Sequence, residues 1–148
     1  MGKTATGTKQ RAKPVRRQKT RRQKAVDAAD RWFSLYIRQR DGNRSVTSNC
    51  TRNLTCSHLF SRRFYATRWD ETNAYCQTAG ENLYHNRDAG PLTSYFLDVH
   101  GEEAYRKLYE KARSGAKFRT EEIEDIAAYY KSRFERLTQK QRDFFNVI

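Results

Sequence analysis

"LTCSHLFSRRFYATRWDETN", residues Leu54 to Asn73, decides how the rest of the chain is read. A short run of Thr and other β-formers leads to His58; Arg62, Arg63 and Arg68 follow, and Asn73 closes the stretch. A hydrolytic nuclease must activate water beside a phosphodiester and stabilise charge on the leaving oxygen. A histidine can take the water proton because its pKa lies near neutrality. A hard divalent cation, held by a few oxygen ligands and its own waters, can stabilise the leaving oxygen. His58, Asn73 and, beyond the stretch, Asn82 supply a base, an orienting residue and an oxygen ligand in that order. The plainer alternative is a strand-end histidine donating to a backbone carbonyl, with asparagines that form turns. Spacing alone leaves both open.

Outward from this stretch, the periodicity changes on either side. "AVDAADRWFSLYIRQRD" carries Val26, Ala29, Phe33 and Tyr36/Ile37 at helical spacing and ends at "DGN", which predicts an N-terminal helix. "SVTSNC" and "NLTCSHLF", separated by "TRN", read as a small irregular hairpin. "TRWDETNAYCQTAGENLYHNRDAGP" reads as a long loop, whose aromatic and cysteine content speaks against disorder. Three helices follow: one opened by Pro91 and closed by Gly101, then "EEAYRKLYEKARSG", then "TEEIEDIAAYYKSRFERL". The last has Thr120 as its expected N-cap and one apolar stripe through Ile123, Ile126/Ala127, Tyr130, Phe134 and Leu137. "FFNVI" is an apolar tail that either folds back or docks.

The 148 residues hold 30 Lys+Arg against 17 Asp+Glu, a net charge of +13. Ten of the basic residues, among them Lys13, Arg16, Arg17, Arg21 and Arg22, fall before Val26 with no acid between them. The expected organisation is a disordered basic arm over 1–24, one domain over 25–140 and a C-terminal docking segment over 141–148. Such an arm points to a polyanion, because neutralising phosphates releases counterions. "MGKTAT" also fits an N-myristoylation pattern, which together with the basic run would make a membrane-surface adaptor. No run is apolar enough to span a membrane, and no apolar export segment follows the basic start, so a cytoplasmic chain is expected. Without such a segment the sequons at Asn43, Asn49 and Asn53 read as coincidence, and the three cysteines as thiols or metal ligands.

The blocks "CSHLFSRRFYATRWDETN", "GEN", "GPLTSYFLDVHG" and "TEEIEDIAAYYKSRFERL" resemble the NinG/Rap family of phage recombination endonucleases, a branch of the His-Me finger (HNH) superfamily. The resemblance runs from about Val26 to Leu137. It implies an α+β, mostly helical fold with a small ββα-metal core packed against N- and C-terminal helices. By position, it makes His58 the general base and Asn73 the residue that holds the other ring nitrogen of His58. Asn82, with His85 beside it, becomes a ligand of Mg²⁺ or Mn²⁺. Arg62 and Arg68 become phosphate clamps; on charge, Arg63 beside them and Lys13, Arg16, Arg17, Arg21 and Arg22 of the arm are expected to add DNA contact. The implied activity is structure-selective cleavage of branched DNA, such as Holliday junctions and D-loops, in the host cytoplasm if phage-encoded. Recombination proteins and a second copy of the chain are the implied partners, with the last helix and "FFNVI" as the candidate dimer interface.

The departures from the family are equally specific. Its members usually carry two Cys-x-x-Cys pairs for a structural zinc. The matching positions here are Ser45 and Ser48, then Thr78 and Glu81, so both pairs are missing and a structural zinc is not expected. The alternative is an irregular site from Cys50, Cys56, Cys76 and His85. Ser57 stands where many of these nucleases place a metal-binding aspartate. A non-catalytic nucleic-acid-binding module on the same fold is therefore the competing expectation.

Overall fold

The structure, a computed structural model, describes residues 18–146, with side chains to residue 144. Lys13, Arg16 and Arg17 lie outside the described residues. The first helix, α1 (Arg21–Arg40), opens on a capping box: Thr20 Oγ1 accepts from Gln23 N–H, and the Gln23 side chain accepts from Thr20 N–H. The helix thus begins inside the expected arm. Arg21 pairs with Glu121 and Glu124 (3.1 and 2.7 Å), and Arg22 donates to the Phe118 carbonyl (2.8 Å). Both belong to the folded domain, because carboxylates and a carbonyl near the start of another helix hold them.

The remaining elements are β1 (Leu54–His58), α2 (Tyr65–Arg68), a 3₁₀ turn (Glu71–Asn73), β2 (Ala74–Thr78), α3 (Ala79–His85), α4 (Gly90–Ala112) and α5 (Thr120–Asn146). The fold is mostly helical around one antiparallel pair, β1 on β2, with Leu54 opposite Thr78 and His58 opposite Ala74. Here the expected hairpin is corrected. Residues 45–50 form a turn, with Ser45 N–H bonded to Cys50 O (2.8 Å), and meet β2 through Val46 N–H to Cys76 O and Gln77 Nε2–H to Thr47 Oγ1 (2.9 Å each). Asn43, Asn49 and Asn53 all stand in the left-handed region (φ 51, 64 and 53°), which asparagine tolerates and most residues do not. That requirement accounts for all three asparagines of the formal sequons.

Strand β2 is buried on both faces, so its side chains go alternately into two cores. Ala74, with Cys56 of β1, faces a core built by α1 and α5 from Ala29, Phe33, Ile37, Ile123, Ala127 and Tyr130. Tyr75 faces a second core, with Leu59, Leu92, Phe96 and Leu108. The end of α1 also grips β2 directly. Arg40 donates to the carbonyls of Glu71 and Ala74 (2.7 and 2.9 Å), while the Asp41 carboxylate accepts Cys76 N–H (2.7 Å).

Helices α1 and α5 run in the same direction. Arg21 meets Glu124 at their starts, and Gln39 meets Thr138 and Gln141 towards their ends. Thr120 is the first helical residue of α5 rather than its cap; Glu122 reaches back to Arg119 N–H (2.6 Å) instead. Residues 141–146, expected in a separate tail, continue α5, and Phe144 is exposed on it. Gly101 splits α4 into two helical segments at φ 81°, a conformation that would strain any other residue there. Among the described residues no helix is long and apolar enough to cross a membrane.

Phe33 is 1% exposed and packs against the rings of both Tyr130 (4.8 Å) and His58 (5.8 Å). Phe33→Ala should cost about 3–5 kcal/mol of stability, read by urea denaturation. A cost below about 1 kcal/mol would show that α1 is not anchored through this ring.

Candidate active site

Strand β1 delivers His58 to the floor of a cleft of about 590 Å³. One wall is α1, through Asp30, Phe33 and Ser34; the other is α3, through Asn82 and His85; Ser61 and Arg62 are also among the lining residues. Three residues singled out from sequence, His58, Asn82 and His85, therefore share one cavity. They do so because α3 starts directly after β2, with no intervening loop.

The His58 ring is oriented by a backbone carbonyl. Its Nε2 lies 2.9 Å from Arg68 O, and a carbonyl can only accept, so Nε2 carries the proton. The Nδ1 lone pair has no hydrogen-bond donor among the described residues. Burial pushes the imidazole down to about 4; the carbonyl bond opposes that shift, and the Arg62 charge reinforces it. At neutral pH the ring is uncharged, with a lone pair free to accept a proton.

Asn73 does not touch this ring, contrary to expectation. Fully buried, it donates Nδ2 to Phe60 O and Thr67 O (2.9 Å each) and accepts Phe60 N–H at Oδ1 (2.8 Å). Its own carbonyl accepts Leu59 N–H (2.8 Å). It closes the loop that carries Arg68 O, and so bears on the His58 ring at one remove.

Arg68 is also reassigned. Its Nε and Nη2 bond the two oxygens of Asp30 (3.0 and 2.6 Å), and its side chain is 14% exposed. A guanidinium clamped this way is not open to phosphate. Asp30, absent from the sequence-derived site, accepts further from Trp69 Nε1 (2.9 Å) and ties α1 to the loop whose carbonyl holds His58. No local pattern in α1 marks it, because its partners lie 32–39 residues away. Arg62 reaches Asp30 only at 3.4 Å and is 60% exposed, so it remains available at the rim; Arg63 is exposed beside it.

On α3, Asn82 makes no side-chain hydrogen bond among the described residues. His85 donates Nε2–H to Leu59 O (3.3 Å), which leaves Nδ1 as a buried acceptor without a partner. The start of the helix is fixed by a capping box between Thr78 and Glu81, a Thr-x-x-Glu signal that was present in the sequence. The Glu81 carboxylate also accepts from Ser45 Oγ (2.8 Å) and Thr47 Oγ1 (3.0 Å), and Ser45 Oγ in turn accepts Ser48 N–H (3.2 Å). Ser45, Ser48, Thr78 and Glu81, far apart in sequence, thus meet in one polar joint between the 45–48 turn and α3.

The cysteines behave differently. Cys56 and Cys76 face each other across the strands, and burial pushes their thiols up to about 12 and about 11. Cys50 sits apart, its sulfur 3.9 Å from Arg52 O. Among the described residues, no group of three or more His, Cys, Asp or Glu side chains converges as a metal site, so Cys50, Cys56, Cys76 and His85 do not come together. No family model, no curated protein and no solved structure matches the chain.

Burial would raise the Glu81 carboxyl, but hydrogen bonds from Ser48, Thr78 and Ser45 outweigh it and hold the group down to about 2. A depressed carboxyl stabilises the fold above its ordinary value of 4.5 and loses that contribution as pH falls towards 2. Glu81→Gln should therefore flatten the fall in stability over this window, measured by chemical denaturation at stepped pH. An acid limb of unchanged steepness would show that the joint does not depend on the charge.

Proposed function

We propose that the chain is a divalent-metal-dependent DNA endonuclease of the His-Me finger kind, related to the NinG/Rap recombination nucleases and acting on branched DNA. The observation that carries the proposal is the neutral His58 in the cleft, with Nε2 spent on a loop carbonyl and Nδ1 free, facing the α3 residues Asn82 and His85. The strand–loop–strand–helix order of β1, the Asn73-closed loop, β2 and α3 fits a ββα core. The polar joint adds support, because the four positions that would hold zinc in the family come together here as Ser, Ser, Thr and Glu.

In this reading His58 Nδ1 accepts the proton of the attacking water, while the Arg68 carbonyl keeps the ring from turning. Arg62 at the rim holds a phosphate oxygen. Asn82 has an uncommitted amide oxygen and His85 an unpartnered nitrogen, and these are the residues that would hold Mg²⁺ or Mn²⁺ with water and substrate oxygens completing the shell. When bound, the cation supplies charge stabilisation at the leaving oxygen. A non-catalytic binding module is favoured by two observations: Ser57 Oγ is buried away from the cleft, and Asp30, the only acid lining it among the described residues, is spent on arginines.

Wild type and His58→Ala, compared on a four-way junction and on linear DNA with and without Mg²⁺, test the proposal. The variant should lose cleavage by about 10²–10⁴-fold while its DNA affinity is unchanged. Retained cleavage would remove His58 from the mechanism. In the wild type, the acidic limb of kcat/KM should lie near 4 rather than near the ordinary histidine value of 6.5, because the free enzyme's imidazole is already neutral above that point. A limb near 6.5 would contradict the buried, carbonyl-held ring.

A further inference from the structure

Some cations on the folded domain are committed to acids and others are not. Arg106 bonds Glu103 and Glu110, Lys111 bonds Asp70, and Arg21 and Arg68 are paired as described. Arg63 and Arg113 are two of those without an acidic partner among the described residues. Both are exposed, and among the described residues neither side chain has an ion pair or a hydrogen bond. Each is instead laid on an aromatic face. The Arg113 guanidinium carbon sits 3.8 Å from the centre of the Tyr109 ring and 5.6 Å from that of Phe64, and that of Arg63 sits 4.7 Å from the same Phe64 ring.

Stacking fixes the plane of a guanidinium and leaves its N–H edges outward and unspent. Two like charges against one ring repel, and among the described residues no carboxylate pairs with either, Asp70 and Glu110 being bonded to Lys111 and Arg106. A fixed, planar, unspent donor set of this kind matches the oxygens of a phosphodiester. The patch also adjoins the cleft: Arg62 lines it, and Arg63 is the next residue in the chain. Phe60, two residues after His58, packs edge-on to Tyr109 (5.9 Å) and joins the patch to the loop closed by Asn73.

We propose that Arg63 and Arg113, held by Phe64 and Tyr109, form a second phosphate-backbone contact for a nucleic-acid strand leaving the cleft past Arg62. The contact rests on the nucleic-acid part of the proposed function but not on catalysis. Its test is fluorescence anisotropy with the full chain in EDTA, on a labelled single strand and a labelled four-way junction, across a series of salt concentrations. Arg113→Ala should weaken binding about tenfold and lower the salt slope by about 1, as one lost phosphate contact requires. Arg113→Lys should restore the slope but not the affinity, because an ammonium keeps the charge and loses the stacked fork.

Arg106→Ala is the control, since Arg106 is already spent on glutamates, and thermal melting of each variant confirms the fold. Arg113→Ala matching Arg106→Ala overturns the contact, and if His58-dependent cleavage persists it overturns the contact alone. The expected loss in a protein that cuts nothing leaves the contact standing and removes the nuclease reading. A wild type that binds neither DNA overturns both. A larger effect on the single strand than on the junction assigns the contact to an unpaired strand, and the reverse assigns it to duplex arms.

Discussion

A single buried amide sets the geometry of the cleft. The Asn73 side chain satisfies Phe60 at both its N–H and its C=O, and Thr67 at its C=O, in a loop with no strand partner for those groups. Unpaired, each buried backbone group would cost about 1–3 kcal/mol, so the loop has few other closed conformations. Once closed, it carries the Arg68 carbonyl to His58 and the Arg68 guanidinium to Asp30. One contact orients the imidazole and the other docks the loop on α1. The free ring nitrogen of His58 is therefore aimed by backbone geometry that a side chain enforces from behind.

How much of this the sequence displayed depended on where each residue's partners lie. Helices α1 and α5 were legible because their apolar stripes repeat at helical spacing, and the break at Gly101 because glycine marked it. The convergence of His58, Asn82 and His85 was legible only through the spacing of a resemblance. Strand β2 was hidden by its own burial: Ala74, Tyr75, Cys76 and Gln77 are all covered, so no polar–apolar alternation remains to be read. The 45–50 segment looked like a strand from its Thr and other β-formers, yet its hydroxyls serve turns and the Glu81 joint. The role of Arg68 was not legible at all, since Asp30 lies in another element and follows no local rule.

Two different solutions to buried polarity stand on opposite sides of the sheet. Towards α1, carboxylates are matched to guanidiniums and backbone N–H groups, as at Asp30, Asp41 and Glu71. Towards α3, one carboxylate collects hydroxyls and the N–H of the N-cap residue Thr78. The first arrangement links distant elements rigidly. The second fixes the start of a seven-residue helix that buries none of its own side chains. That helix has little packing of its own to hold it, so its cap decides where Asn82 and His85 stand.

The parallel pairing of α1 with α5 has a temporal consequence. Its contacts join residues about one hundred positions apart, as Arg21–Glu124 (103) and Gln39–Thr138 (99) show. During synthesis, the strand and the short helix that carry His58, Asn82 and His85 leave the ribosome well before α5 exists. The face of α1 that backs the cleft has no cover until then, and contacts of such long range form late in folding. A growing chain would carry both walls of the cleft, α1 and α3, before α5 brings Tyr130 against Phe33 behind it.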